Sequence, residues 1–279
     1  MIKLLKGDFV RLLKSKIFWL GVIFMLGVGV YSVIHISTYS MDPDNTLTNG
    51  VTMYVGVVIA VFIGFFVGTD YAGGAIRRKL SMGYSRISVY FSYLIICFPA
   101  SAIMHAAFIA VMAAAAALGI TNKFTIYSAE ELLSFTLVST CSVLALAAIS
   151  LLISMLISNR TVGAVTAIVI ALMFVFMAQA VQNSLSAEIY HKVEHPDGTG
   201  GYEFAYPDDN PSTKRKILRF VHDWLPENQL FQLANGAQAM TSKDGYLPVN
   251  DEIFPLYSLS VIAVSTAAGI AVFRKKDLK

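Results

Sequence analysis

The chain has 279 residues, of which 56% are apolar and only 14% charged, with a formal net charge of +3. A soluble domain carries roughly 25% charged residues, so the composition excludes an ordinary soluble enzyme or binding module. The charges are also clustered, leaving long stretches that have none and can cross a bilayer.

Residues 1–16 read as an amphipathic helix. Ile2, Leu5, Phe9 and Leu12 recur at three- and four-residue intervals, while Lys3, Lys6, Arg11 and Lys14 face elsewhere. Such a helix lies in a membrane interface with its cations against anionic headgroups, and Trp19 follows where an interfacial anchor belongs. Six apolar segments then meet the length of about 20 residues that a crossing needs. They are Ile17–Ile36, Val51–Thr69, Ile87–Ile120, Leu132–Ile157, Val162–Val181 and Pro255–Phe273, and none contains Asp, Glu, Lys or Arg. The first is too long for a signal-peptide core and no small-residue cleavage site follows it. The third exceeds one crossing, an excess that a kink at Pro99 or extension of the run 113–117 into the interface accommodates. The expected fold class is therefore an all-α membrane protein with six transmembrane helices.

Orientation follows from charge. With the first residues inside, Lys3, Lys6, Arg11, Lys14, Lys16, Arg77, Arg78, Lys79, Arg86, Arg160, Arg274, Lys275, Lys276 and Lys279 are cytoplasmic. These are 14 of the 21 Lys and Arg, opposed there only by Asp8, Asp70 and Asp277. The remaining 7 basic and 15 acidic residues fall outside. The positive-inside rule thus expects both termini in the cytoplasm. Net positive charge here is a membrane signature and gives no reason to invoke nucleic acid.

Between the second and third spans, residues 75–85 carry helix potential framed by Gly73-Gly74 and Gly83, with the basic run Arg77-Arg78-Lys79 inside it. A solvated basic loop satisfies the same residues. Beyond the fifth span, residues 182–254 form the longest connection. Its first half is turn-rich (Pro196-Asp197-Gly198, Gly200-Gly201, Pro207 to Pro211), and its second half reads as two short amphipathic helices broken at Pro226. These are expected to rest on the outer surface or cap a cavity. The organisation is then 1–16 interfacial helix, 17–181 spans one to five, 182–254 extracellular segment, and 255–279 last span with a basic cytoplasmic tail.

Chemistry-bearing motifs are few. His191, Glu194 and His195 match H-x-x-E-H, but Pro196-Asp197-Gly198 would end a supporting helix at once, and a zinc site needs a third protein ligand. A polar surface segment is the better reading. His35 and His105 lack carboxylate partners for proton relay and read as neutral packing residues; Cys97 and Cys141 read as apolar fillers. No P-loop is present. Gly64-x-x-x-Gly68 marks close helix packing. Phe62, Phe65 and Phe66 with Met173, Phe174, Phe176 and Met177 give the second and fifth spans soft surfaces, suited to lipid or to an apolar path.

Four stretches in order resemble the ABC-2-type exporter permeases. They are the opening from Lys6 to Trp19; Gly73-Gly74-Ala75-Ile76-Arg77-Arg78-Lys79-Leu80 followed by Gly83-Tyr84-Ser85-Arg86; Trp224-Leu225-Pro226-Glu227-Asn228-Gln229; and the ending Phe273-Arg274-Lys275-Lys276-Asp277-Leu278. Ala75 stands where that family usually has Thr. The resemblance implies a permease subunit of a bacterial cytoplasmic membrane, paired with a second protomer as a homodimer or heterodimer. A separate ABC ATPase subunit would hold the ATP and magnesium, so this chain would be no enzyme and carry no cofactor. Ala75, Ile76, Arg77, Arg78, Lys79, Leu80, Gly83 and Arg86, with Arg11 and Lys14, would form the coupling surface for that ATPase. Phe62, Phe65, Phe66, Met173, Phe176 and Met177 would line the substrate path, and Trp224, Leu225 and Phe231 an outer gate. Cargo in the peptide-exporting branch includes bacteriocins and phenol-soluble modulins; drugs, lipids and glycans are the alternatives. A membrane-anchored enzyme and a non-transporting scaffold or sensor are the readings from other classes.

Overall fold

The structure is a computed structural model and describes residues 2–39, 43–120, 129–187, 190–194, 200–204, 213–241 and 252–276. Ten helices and one two-stranded hairpin occur among them: α1 (Ile2–Leu13), α2 (Lys16–Tyr39), α3 (Pro43–Ala72), α4 (Ala75–Ser81), α5 (Arg86–Ala117), α6 (Ala129–Leu156), α7 (Arg160–Ala187), β1 (Tyr190–Glu194), β2 (Gly200–Phe204), α8 (Thr213–Trp224), α9 (Pro226–Thr241) and α10 (Phe254–Lys275). Six of these helices, α2, α3, α5, α6, α7 and α10, are long and apolar enough to cross a membrane. By length and composition these six make the protein a helical multi-pass membrane protein.

The six long helices run alternately up and down, so one end of the bundle gathers α1, α4, the starts of α2, α5 and α7, and the ends of α3, α6 and α10. Several helices outrun the apolar segments read from sequence. α3 begins at Pro43 and continues through Asp70 to Ala72, placing an acid in its last turn instead of in the following loop. It ends at Gly73-Gly74, where Gly74 takes φ +65°, a left-handed conformation that costs glycine little. α4 stops at Ser81, shorter than the expected 75–85, because Gly83 at φ +86° reverses the chain. Ser85 is then free to cap α5, its hydroxyl accepting from the Ser88 amide at 3.1 Å. Pro99 lies within α5, which the structure records as one continuous helix.

Close helix approach is set by small residues. A Cβ added at Gly64 would meet the Ala164 Cα at 2.8 Å, and one at Gly68 would meet the Arg160 Cα at 2.9 Å. The GxxxG stripe of α3 therefore carries the backbone of α7 against it, without side chains between. The core runs along the bundle through Met25, Phe62, Ile63, Tyr93, Met104, Phe108 and Leu151, all buried. Cys97 is buried and unpaired, and Cys141 is half-buried and unpaired, as fillers should be.

The long connection departs from its expected outline. Part of its turn-rich first half pairs as an antiparallel hairpin, with Tyr190 opposite Phe204 and Glu194 opposite Gly200. The segment containing His191 and Glu194 is thus a strand, not the helix H-x-x-E-H requires, and His195 lies outside the described residues. Among the described residues no three His, Cys, Asp or Glu side chains cluster to hold a metal. The second half does break at Pro226 into α8 and α9, but the pair is inserted between the long helices. Gln229 Oε1 accepts from Ser142 on α6 at 2.8 Å and from Ser258 on α10 at 2.7 Å.

Candidate functional site

Two polar constellations are built into this otherwise apolar bundle, one at each end. At the first, α1 carries Asp8 and Arg11 three positions apart, so both point from the same helical face. Asp8 receives the Lys79 ammonium of α4 in a two-oxygen grip, at 2.7 and 2.9 Å, and also the Ser92 hydroxyl of α5. Arg11 ion-pairs with Asp70 in the last turn of α3 and stands 3.6 Å from Asp8. Tyr93 of α5 donates its hydroxyl to Asp70, and the Arg11 guanidinium lies over the rings of Phe66 (4.5 Å) and Tyr93 (5.4 Å). Two acids thus meet two cations, with two hydroxyls on the carboxylates and aromatic faces against the guanidinium, whose Nε and Nη2 have no hydrogen-bond partner. A buried charge pair holds only with such added hydrogen bonds. Burial lowers the Lys79 ammonium below its ordinary value, and the Asp8 carboxylate opposes that shift.

This network divides the basic residues read from sequence. Arg11 and Lys79 turn inward and hold α1 and α4 onto the bundle, with Lys79 only 7% exposed. Ile76 is buried, while Ala75 and Leu80 are half-buried. Arg77, Arg78 and Lys14 are exposed, and Arg78 donates to the Gly73 carbonyl at 3.2 Å. Arg86, at the start of α5, donates to the Phe273 carbonyl at 3.0 Å and to that of Lys276. Lys276 in turn donates to the carbonyls of Met155 (2.8 Å) and Leu156 (3.0 Å) at the end of α6. Cations at helix C-termini satisfy carbonyls that lack intrahelical partners. Gly83 sits at the exposed turn between α4 and α5.

The aromatic and Met residues of the second and fifth spans do not form one surface. Phe62 and Phe66 are buried and stacked at 5.4 Å, and Phe65 packs its ring under the Arg160 guanidinium at 5.6 Å. Met173 and Phe176 are 62% and 73% exposed on α7, with Met177 half-buried. Phe62 does line an apolar cavity of about 440 Å³ between α2, α3 and α7, walled also by Phe24, Tyr54, Val61 and Leu172.

The second constellation lies at the α8–α9 turn, far along the bundle from α4. Trp224 donates its indole N–H to Ser260 of α10 at 2.9 Å and stacks on Phe220 at 6.2 Å. Leu225 and Phe231 are half-buried beside it. Pro226 starts α9, a position where its missing N–H costs nothing. Asn228 donates to the Val221 carbonyl (3.4 Å), Gln229 to that of Asp223 (2.8 Å), and Gln232 to that of His222 (2.7 Å). These amides tie the end of α8 to the start of α9. His222 is buried with its Nε2 lacking a hydrogen bond, and burial lowers it to about 4. Glu227 is 3% exposed, and burial raises its carboxyl to about 8.

The inward pairing of Arg11 and Lys79 and the seating of Glu227 escape sequence reading, since each depends on partners about 60 or more positions away. One signal lay in the sequence: Asp70 directly follows the apolar run 51–69, where an unpaired charge is costly. No protein-family model matches the chain, and no curated protein matches it.

Proposed function

We propose that this chain is the membrane-spanning subunit of an ATP-driven exporter of the ABC-2 type, moving an amphipathic or hydrophobic cargo, peptide first among the candidates. The carrying observation is α4, a seven-residue helix with Arg77 and Arg78 exposed on one side and Ile76 and Lys79 buried on the other. Through Lys79 and Asp8 it is joined to α1, and through Asp8, Ser92, Arg11 and Asp70 to α5 and α3. A push on its exposed face is therefore transmitted to the ends of two long helices together, as a coupling helix requires. A separate ATPase would dock on that face in the cytoplasm, with exposed Lys14, just past the end of α1, contributing to the same surface.

Support for a second protomer comes from α7, whose span is the least buried of the six and shows Val165, Val169, Leu172, Met173 and Phe176 outward. Lipid is the other occupant of such a face. The cargo path would run between protomers, past α3 and α7, and the α8–α9 turn would close it on the outside. Drugs, lipids and glycans are the alternative cargoes.

The test is purification in mild detergent after co-expression with neighbouring genes. A roughly stoichiometric ATPase is expected with the wild-type chain, and the pair Arg77→Glu and Arg78→Glu is expected to release it while the protein remains folded. A chain that purifies alone, or an ATPase indifferent to both substitutions, overturns the reading.

A further inference from the structure

The Glu227 carboxyl has a made-to-measure seat. Its Oε2 lies 2.8 Å from where a Cβ on Gly56 would stand, so α3 has no side chain at the one place the carboxyl points. Leu146 of α6 borders the same spot, with its Cδ1 at 3.4 Å from that position. Elsewhere in the α8–α9 turn, Gln229 is engaged with Ser142 and Ser258 and Gln232 with the His222 carbonyl and Asp223, while His222 Nε2 and Asn228 Oδ1 have no hydrogen-bond partner. No hydrogen bond or ion pair reaches Glu227 from any described residue, in contrast to Asp8 and Asp70, each of which has a cation. A buried carboxyl without a partner is costly to the resting fold. Glutamine at this position would fill the same volume at a lower cost, so the acid itself is what calls for an explanation.

We propose that Glu227 is a specificity-determining residue, a single anionic docking point for the ammonium or guanidinium of a cationic amphipathic cargo. In the resting fold the carboxyl is parked, protonated, against Gly56. When the α8–α9 turn swings away from α3 and α6, the carboxyl leaves the notch, gives its proton to water and pairs with the cation of the cargo. The apolar face of the cargo meanwhile lies along the uncharged helices. On closure the carboxylate releases the cation, takes a proton back from water and returns to Gly56, where no cation fits, and the cargo is expelled. This rests on the exporter reading for direction, while the binding step itself belongs to this chain alone.

The test uses the full chain in zwitterionic nanodiscs, without any ATPase. With Trp19→Phe, Trp224 becomes the only tryptophan of the two in the sequence and reports the turn three residues from Glu227. The probes are a Leu/Lys amphipathic helical peptide and its Leu/Gln counterpart. The Lys peptide is expected to bind about tenfold more tightly, the factor one charge-assisted hydrogen bond supplies. Glu227→Gln is expected to remove that preference and leave Leu/Gln binding as it was, and Glu227→Asp to keep part of it. Equal binding of both peptides by the wild type, which needs no variant, overturns the proposal. So does a Lys preference that survives Glu227→Gln, or a sodium ion alone reproducing the Trp224 change. Charge-selective binding by a chain that recruits no ATPase would retain this proposal and sink only the exporter reading.

Discussion

Arg77 and Lys79 are two positions apart on one helix and serve opposite ends, one facing out and the other holding Asp8 from within. The difference has a measurable consequence. Asp8→Asn leaves the Lys79 ammonium buried beside a neutral amide, a loss of the order of 3 kcal/mol for a broken buried pair. Asp8→Asn combined with Lys79→Met should recover a large part of that, since no uncompensated charge remains. Thermal unfolding in detergent gives both values, and additive losses would mean the pair is not coupled. Arg77→Gln, by contrast, should leave unfolding unchanged. Glu227 provides a pH signature. Its folded value of about 8 lies above the 4.5 of a free carboxyl, so the folded chain keeps a proton that the unfolded chain releases. Stability therefore declines as pH rises from 4.5 towards about 8 and levels off above it. Glu227→Gln should melt higher than wild type at pH 9 and show no gain at pH 4.5 or below; equal shifts at both ends would refute the burial of an acid there.

Among the elements, the pairing of α3 with α7 depends most directly on a stripe of two glycines. Gly68→Leu drives its side chain into the Arg160 backbone and should cost about 1–3 kcal/mol. Gly27→Leu on α2 meets nothing within 4 Å and is the matched control. If both variants melt alike, the close approach is not what holds these helices. Although nothing local names α7 as the partner, close packing of α3 was legible in its GxxxG. So were the six spans, the short basic helix and the break at Pro226, each written in local composition. What stayed hidden was every choice made by distant partners. Arg11 and Lys14 look equivalent on an amphipathic helix, and only Asp70 and Phe66, brought alongside by α3, decide that Arg11 turns in. The α8–α9 pair reads as a surface cap because its helices are polar; the Ser residues that receive Gln229 sit in α6 and α10, in runs that look uniformly apolar. The hairpin was missed for the reverse reason, since its Gly and Pro content signals turns more strongly than strands.

At the scale of the whole molecule, both polar constellations join helices that are far apart in sequence, one at each end of the apolar bundle. Replacing Gln229 with Leu removes the shared acceptor of two buried serines and should cost about 1–3 kcal/mol, loosening α9 from α6 and α10 while leaving the α1–α4 network intact. Hydrogen exchange resolved by segment would show protection lost in α9 alone; loss at both ends would mean the bundle unfolds as one unit. The clamp between Arg86 and the Phe273 carbonyl spans 187 positions, and Lys276 closes on α6 from the same short stretch. Neither can form until the sixth span has been threaded into the bilayer. Until then the carbonyls ending α6 and the guanidinium opening α5 lack these partners, so neither clamp can steady the bundle before its final span is in place.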